Sequence, residues 1–109
     1  MSVNRSDKDG VATLTLNRPD KLNALTVAMF RDLRAHVEAI RSDETVACVV
    51  LRGAGKCFSA GHDLADIATG EDVPSRGWHS ETLRLMEKLP MPVIAAVHGH
   101  VHGHVHGQL

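Results

Sequence analysis

Thr45-Val46-Ala47-Cys48-Val49-Val50-Leu51 is a nearly continuous run of apolar and β-branched residues. A half-solvated strand alternates apolar and polar side chains, whereas a strand covered on both faces does not. The run therefore reads as an interior strand of a layered sheet. Upstream, Val27, Phe30, Leu33, Val37 and Ile40 recur at three- and four-residue steps, the spacing of one helical face. Arg31, Asp32, Arg34, Glu38 and Arg41 are left for solvent. Thr26 stands where an N-cap belongs, and Ser42-Asp43-Glu44 closes the helix. Earlier still, residues 10–16 (GVATLTL) alternate as a strand, and Asn17-Arg18-Pro19-Asp20-Lys21 breaks them with turn chemistry. Strand, helix, strand in this order implies a right-handed parallel crossover, hence an α/β fold.

Downstream of the run, residues 52–64 form a loop rich in small residues, and residues 64–68 suit a short helix. Residues 69–77 are polar, with Gly and Pro, and read as a mobile surface loop. Residues 80–89 read as a second helix with Leu83, Met86 and Leu89 inward. Pro90 and Pro92 end it and lead into Val93-Ile94-Ala95-Ala96-Val97, read as another buried strand. Residues 97–108 are then three copies of a four-residue unit, VHGH, VHGH and VHGQ, which hold five of the eight histidines.

With 109 residues the chain supports one domain and one small core. Its 43% apolar and 23% charged residues match ordinary globular usage and argue against disorder. A net charge of -1 gives no global attraction to nucleic acid or to an acidic membrane surface. Aromatics are limited to Phe30, Phe58 and Trp78, too few for base-stacking platforms. Cys48 and Cys57 read as small buried or half-buried thiols in preference to a disulfide or redox pair. The first ten residues are polar with no apolar segment, and no stretch is long enough to span a bilayer, so a soluble cytoplasmic protein is expected. No G-x-S-x-G elbow, P-loop or G-x-G-x-x-G is present. Asp63 and Asp66, three apart, read as a solvated helix face.

Three stretches, Leu16 to Leu25 (LNRPDKLNAL), Phe58 to Leu64 (FSAGHDL) and Met91 to Gly99 (MPVIAAVHG), together resemble the enoyl-CoA hydratase/isomerase (crotonase) family. Leu16-Asn17-Arg18-Pro19-Asp20-Lys21-Leu22-Asn23-Ala24-Leu25 is similar to the family's opening strand-and-turn segment. Phe58-Ser59-Ala60-Gly61-His62-Asp63-Leu64 is similar to the segment that begins its oxyanion hole, and Met91-Pro92-Val93-Ile94-Ala95-Ala96-Val97-His98-Gly99 to the strand leading into its glycine-rich turn. The resemblance covers about residues 3–99, the first part of a family member more than twice this length. It implies a partial crotonase-like (ClpP/crotonase) spiral of ββα units over residues 1–97, followed by a His/Gly-rich tail over residues 98–109. It also implies an acyl-CoA thioester as ligand, no required cofactor, and a trimer-like homo-oligomer when the domain is complete.

Family members stabilise the enolate-like oxyanion that develops on the thioester carbonyl with two backbone N–H groups, which need no reorganisation during the reaction. By resemblance, the His62 amide is the first donor here, with Ala60 and Gly61 small enough for close approach. Asp63 and Leu64 would open the helix that follows, with its dipole favouring negative charge nearby. Lys21, Leu22 and Ala24 would line the CoA channel, against the alternative of a basic turn residue and core packing.

The resemblance weakens after His98-Gly99. The second oxyanion amide falls at Gly103, but His104 and Val105 stand where the family has glycines. The family's first catalytic acid falls at Gly107, or with a one-residue gap at Gln108, and its second would lie beyond Leu109. Acyl-CoA binding with oxyanion stabilisation, short of full turnover by this chain alone, is therefore the expected function. Two other classes stay open. His98, His100, His102, His104 and His106 would face one side of an extended strand as a row of ligands for zinc, nickel or copper. A non-catalytic fragment could instead pair with a full-length homologue through its exposed sheet.

Overall fold

The computed structural model describes residues 2–59 and 78–99, with residues 78–80 described by their backbone. Among the described residues four strands stand side by side in chain order, β1 (Val3–Lys8), β2 (Val11–Leu16), β3 (Cys48–Gly53) and β4 (Val93–Ala96). Helix α1 (Val27–Arg41) connects β2 to β3, and α2 (Trp78–Glu87) precedes β4. The β2–β3 and β3–β4 pairs are parallel, with Leu14 opposite Leu51 and Leu51 opposite Ala95. The crossover expected from strand, helix and strand is thus present.

Strand β1 was not expected, because its sequence VNRSDK offers a single buried residue, Val3. It is held by a hairpin in which Asp9 (φ 51°) and Gly10 (φ 81°) both take the left-handed region, the geometry whose twist suits a two-residue loop. The register Val3 to Leu16 and Lys8 to Val11 follows. Helix α1 then pins the free end of β1: Asp32 Oδ2 accepts from the Ser2 and Val3 amides at 2.9 and 3.3 Å, and His36 Nε2 donates to the Val3 carbonyl at 2.8 Å. Asp32 is therefore a tether and not only a solvated charge. Arg34, likewise expected in solvent, pairs with Glu81 of α2 at 3.4 Å.

Thr26 caps α1 as its position demands, its hydroxyl accepting from the Met29 amide at 3.1 Å. The helix buries Met29, Leu33, Val37 and Ile40 against Ala12, Leu14, Leu16, Val49 and Leu51 of the sheet. Burying a side chain of this size contributes roughly 1.5–3 kcal/mol, so this face dominates the stability. Met86 and Leu89 complete the same core, and Leu83 packs with Val27 and Phe30 in a second cluster.

Two strands differ from expectation. Thr45, Val46 and Ala47 precede β3, because Asp43 Oδ1 accepts from both the amide and the hydroxyl of Thr45 and closes a turn there. Burial along β3 also alternates: Val49, Leu51 and Gly53 are buried, Cys48 and Val50 half-buried and Arg52 exposed. Strand β4, expected to be buried, alternates half-buried and exposed positions, with Ile94 53% exposed. Among the described residues it is the last strand of the sheet and pairs with β3 alone. Both cysteines are free thiols, Cys48 half-buried and Cys57 buried. Among the described residues no helix is long and apolar enough to cross a membrane. The expected helix at 64–68, the loop at 69–77 and the tail beyond Gly99 lie outside the described residues.

Candidate functional site

Beyond the C-terminal end of β2 the chain turns sharply. Pro19 opens a 3-10 turn (Pro19–Lys21), a place where its missing amide hydrogen costs nothing. Leu22 (φ 53°) and Asn23 (φ 54°) then both adopt the left-handed conformation. For a non-glycine residue this costs about 1–2 kcal/mol, and asparagine tolerates it better than most. Lys21 and Leu22 are exposed and Ala24 is half-buried, so the turn presents a cation and an apolar side chain to solvent.

The side chain of Asn23 is fully buried and offsets that strain. Its Oδ1 accepts from the Arg18 amide at 2.8 Å, while its Nδ2 donates to the carbonyls of Ala54 at 2.8 Å and Cys57 at 2.9 Å. Its own carbonyl accepts from the buried Ser59 hydroxyl at 2.9 Å, and the Arg18 guanidinium reaches the Ala24 carbonyl at 3.1 Å. The Cys57 thiol points to the Leu22 carbonyl at 3.4 Å. Gly55 lies against Pro19, where a Cβ would stand 2.8 Å from the ring. The turn at 18–24 and the loop at 54–59 are thus one hydrogen-bonded body.

The end of β4 closes the other side of that loop. The Phe58 amide donates to the His98 carbonyl at 2.9 Å, and His98 Nε2 donates to the Gly55 carbonyl at 3.0 Å. Phe58 itself is buried in the main core, which fixes the loop from below. Three segments far apart in sequence therefore meet beyond the C-terminal ends of β2, β3 and β4, the side of a parallel sheet where ligands bind. A separate shallow groove of about 230 Å³ lies at the opposite end of β4, lined by Met86, Glu87, Met91, Pro92 and Val93.

Of the residues singled out from the sequence, Lys21, Leu22 and Ala24 belong to this body. Ala60, Gly61, His62, Asp63, Leu64 and Gly103 lie outside the described residues, as do His100, His102, His104 and His106. His98 is described, and its Nε2 is engaged by Gly55. Among the described residues no group of three His, Cys, Asp or Glu side chains could hold a metal ion. Asn23 and Ser59 lie within the family-like segments, but the sequence alone assigns them no role. The available signal was an asparagine two residues after a Pro-Asp-Lys turn, where a left-handed residue is in demand.

Comparison with known proteins agrees with this geometry. A sequence model of the enoyl-CoA hydratase/isomerase family matches residues 6–106. The mitochondrial Delta(3,5)-Delta(2,4)-dienoyl-CoA isomerase of Rattus norvegicus is 39% identical over 103 residues, covering 82% of this chain and 32% of the relative. The 1,2-epoxyphenylacetyl-CoA isomerase of Escherichia coli K12 is 39% identical over 97 residues, covering 83% of this chain and 37% of the relative. Among solved structures, an enoyl-CoA hydratase/isomerase from Xanthobacter autotrophicus Py2 superposes with a TM-score of 0.78 at 33% identity, covering 91% of this chain and 39% of that one. The chain spans about a third of the length of the curated relatives it matches. With its crotonase-like strand order, its three converging segments and a family match over most of its length, this chain belongs to the enoyl-CoA hydratase/isomerase family.

Proposed function

We propose that this chain binds an acyl-CoA thioester and stabilises the oxyanion that develops on its carbonyl. In this reading Lys21, Leu22 and Ala24 line the channel for the CoA moiety. Ala60, Gly61, Asp63 and Leu64 surround the thioester, the His62 amide donates to its oxygen, and Gly103 supplies the second amide. Each such donor is worth roughly 3 kcal/mol to the transition state, because it is aimed in advance at charge that appears only there. Gly107 or Gln108 stands where the family carries its first acid, so proton transfer is not assigned to that position of this chain. Its contribution is binding and electrostatic stabilisation of an enolate-forming step.

The observation that carries the reading is the joining of the 18–24 turn to the 54–59 loop through the buried Asn23. That junction sets the proposed CoA-lining residues beside the segment that runs directly into the proposed oxyanion hole. The relatives named above support the ligand class, since each name that specifies a ligand specifies a CoA thioester. Calorimetric titration of the chain with butyryl-CoA, in EDTA so that the histidine repeat contributes nothing, tests it. Saturable binding of one ligand per chain, abolished by Gly61→Pro, is expected. The absence of binding by a chain that circular dichroism shows to be folded would overturn the proposal.

A further inference from the structure

We propose that Asn23 is a positioning residue of the acyl-CoA site: its buried amide holds the Arg18-to-Ala24 turn against the loop at 54–59, so that Lys21, Leu22 and Ala24 are presented to the ligand as one surface. The inference rests on the acyl-CoA reading above and assigns a role to a side chain that itself faces no ligand.

The amide forms three hydrogen bonds to three different backbone groups, at Arg18, Ala54 and Cys57. Two of those partners lie 31 and 34 residues away in the chain. No other side-chain type supplies one acceptor and two donors at this length and without charge. Aspartate would turn its oxygens on two carbonyls, and glutamine would be a methylene too long. The geometry also explains why the turn keeps two consecutive left-handed residues. Reversing the chain at Leu22 leaves that side chain 48% exposed, beside the exposed Lys21. Such a conformation persists only where its surroundings over-determine it. Here those surroundings are the Asn23 amide, the Ser59 hydroxyl on the Asn23 carbonyl and the Cys57 thiol on the Leu22 carbonyl. A turn that only linked β2 to α1 would not need ties to a loop more than thirty residues further along.

The test is calorimetric titration of the full 109-residue chain and its variants with butyryl-CoA in EDTA, beside thermal melts of the same samples. Asn23→Gly is the informative change, because glycine adopts the left-handed conformation freely and only the amide is lost. Affinity should fall about tenfold, the scale expected when buried carbonyls lose their donors near a binding surface. Ile40→Val, in the α1 core away from the turn, is the control: it should lower the melting temperature and leave affinity unchanged. The inference is overturned if Asn23→Gly binds as the parent chain does, or if Ile40→Val weakens binding equally for the same loss of stability. Should Asn23→Gly fail to fold, Ser59→Ala decides. It removes the hydroxyl that donates to the Asn23 carbonyl and should weaken binding about threefold, whereas unchanged affinity would overturn the inference. Failure of the parent chain to bind removes the acyl-CoA reading and this inference together; parent binding with unaltered variants removes this inference alone.

Discussion

Gly99 lies so close to Lys56 that a Cβ at position 99 would overlap the Lys56 carbonyl oxygen and stand 2.9 Å from the Cys57 Cα. With φ at +70°, Gly99 also occupies the left-handed region that side chains resist. This contact and the Phe58-to-His98 bond bring the end of β4 onto the same loop that Asn23 holds from the other side. Gly99→Ala combines a left-handed alanine with a clash against backbone, which cannot move aside as a flexible side chain would. The expected cost is about 2 kcal/mol or more, read as a lower urea midpoint with unchanged slope. A loss below about 0.5 kcal/mol would show that β4 does not close over the loop in solution.

Thr26→Ala is expected to cost about 1 kcal/mol, because the Met29 amide at the start of α1 loses its acceptor. Thr26→Ser should recover most of that loss, since the hydroxyl and not the methyl accepts the bond. Urea denaturation of the two variants checks this. Equal destabilisation by serine and alanine would move the explanation from capping to packing.

The cap, the apolar stripe of α1 and the parallel crossover were legible because each is written in adjacent residues at a helical or strand period. Strand β1 was not, although Asp9-Gly10 carried a hairpin signal, because a strand with one buried residue shows no apolar alternation. Residues 93–97 read as fully buried because apolar composition reports what a strand can bury, not what lies over it. The roles of Asn23 and Ser59 were hidden for a third reason. Apart from Arg18, their side-chain partners named above lie 31 to 36 residues away, so only the folded chain brings them together.

Arg5 bridges two carboxylates, bidentate to Asp7 at 2.7 and 2.8 Å and to Asp43 at 2.9 Å. The hydrogen bonds from Arg5 hold the Asp7 carboxyl below the ordinary range. For Asp43 the Thr45 hydroxyl is the larger cause of the same depression and Arg5 the second. A carboxylate whose folded pKa lies below its unfolded value stabilises the fold above the unfolded value, about 3.9 for aspartate. That contribution is lost as pH falls through the lower, folded value. Replacing both with asparagine should therefore flatten the decline in stability as pH falls below the unfolded aspartate value, about 3.9. Added salt should narrow the difference between parent and variant, because Asp7 is exposed and Arg5 and Asp43 are only half-buried. Parallel pH profiles for the two proteins would exclude the network as a source of acid sensitivity.

Leu51 and Ile94 sit on neighbouring strands, Leu51 3% and Ile94 53% exposed, and their truncation should separate the two faces of the sheet. Leu51→Ala opens a cavity beneath α1 and should cost about 2–5 kcal/mol. Ile94→Ala removes atoms that water already reaches and should cost no more than about 0.5 kcal/mol. The comparison is informative because both substitutions delete the same number of aliphatic carbons from the same sheet, one set buried and the other exposed. A cost of about 2 kcal/mol or more at Ile94 would mean that the residue is covered in solution, and protein concentration then identifies the cover. If the cost disappears on dilution, a second copy of the chain lies over β4. If it persists, residues of the same chain do.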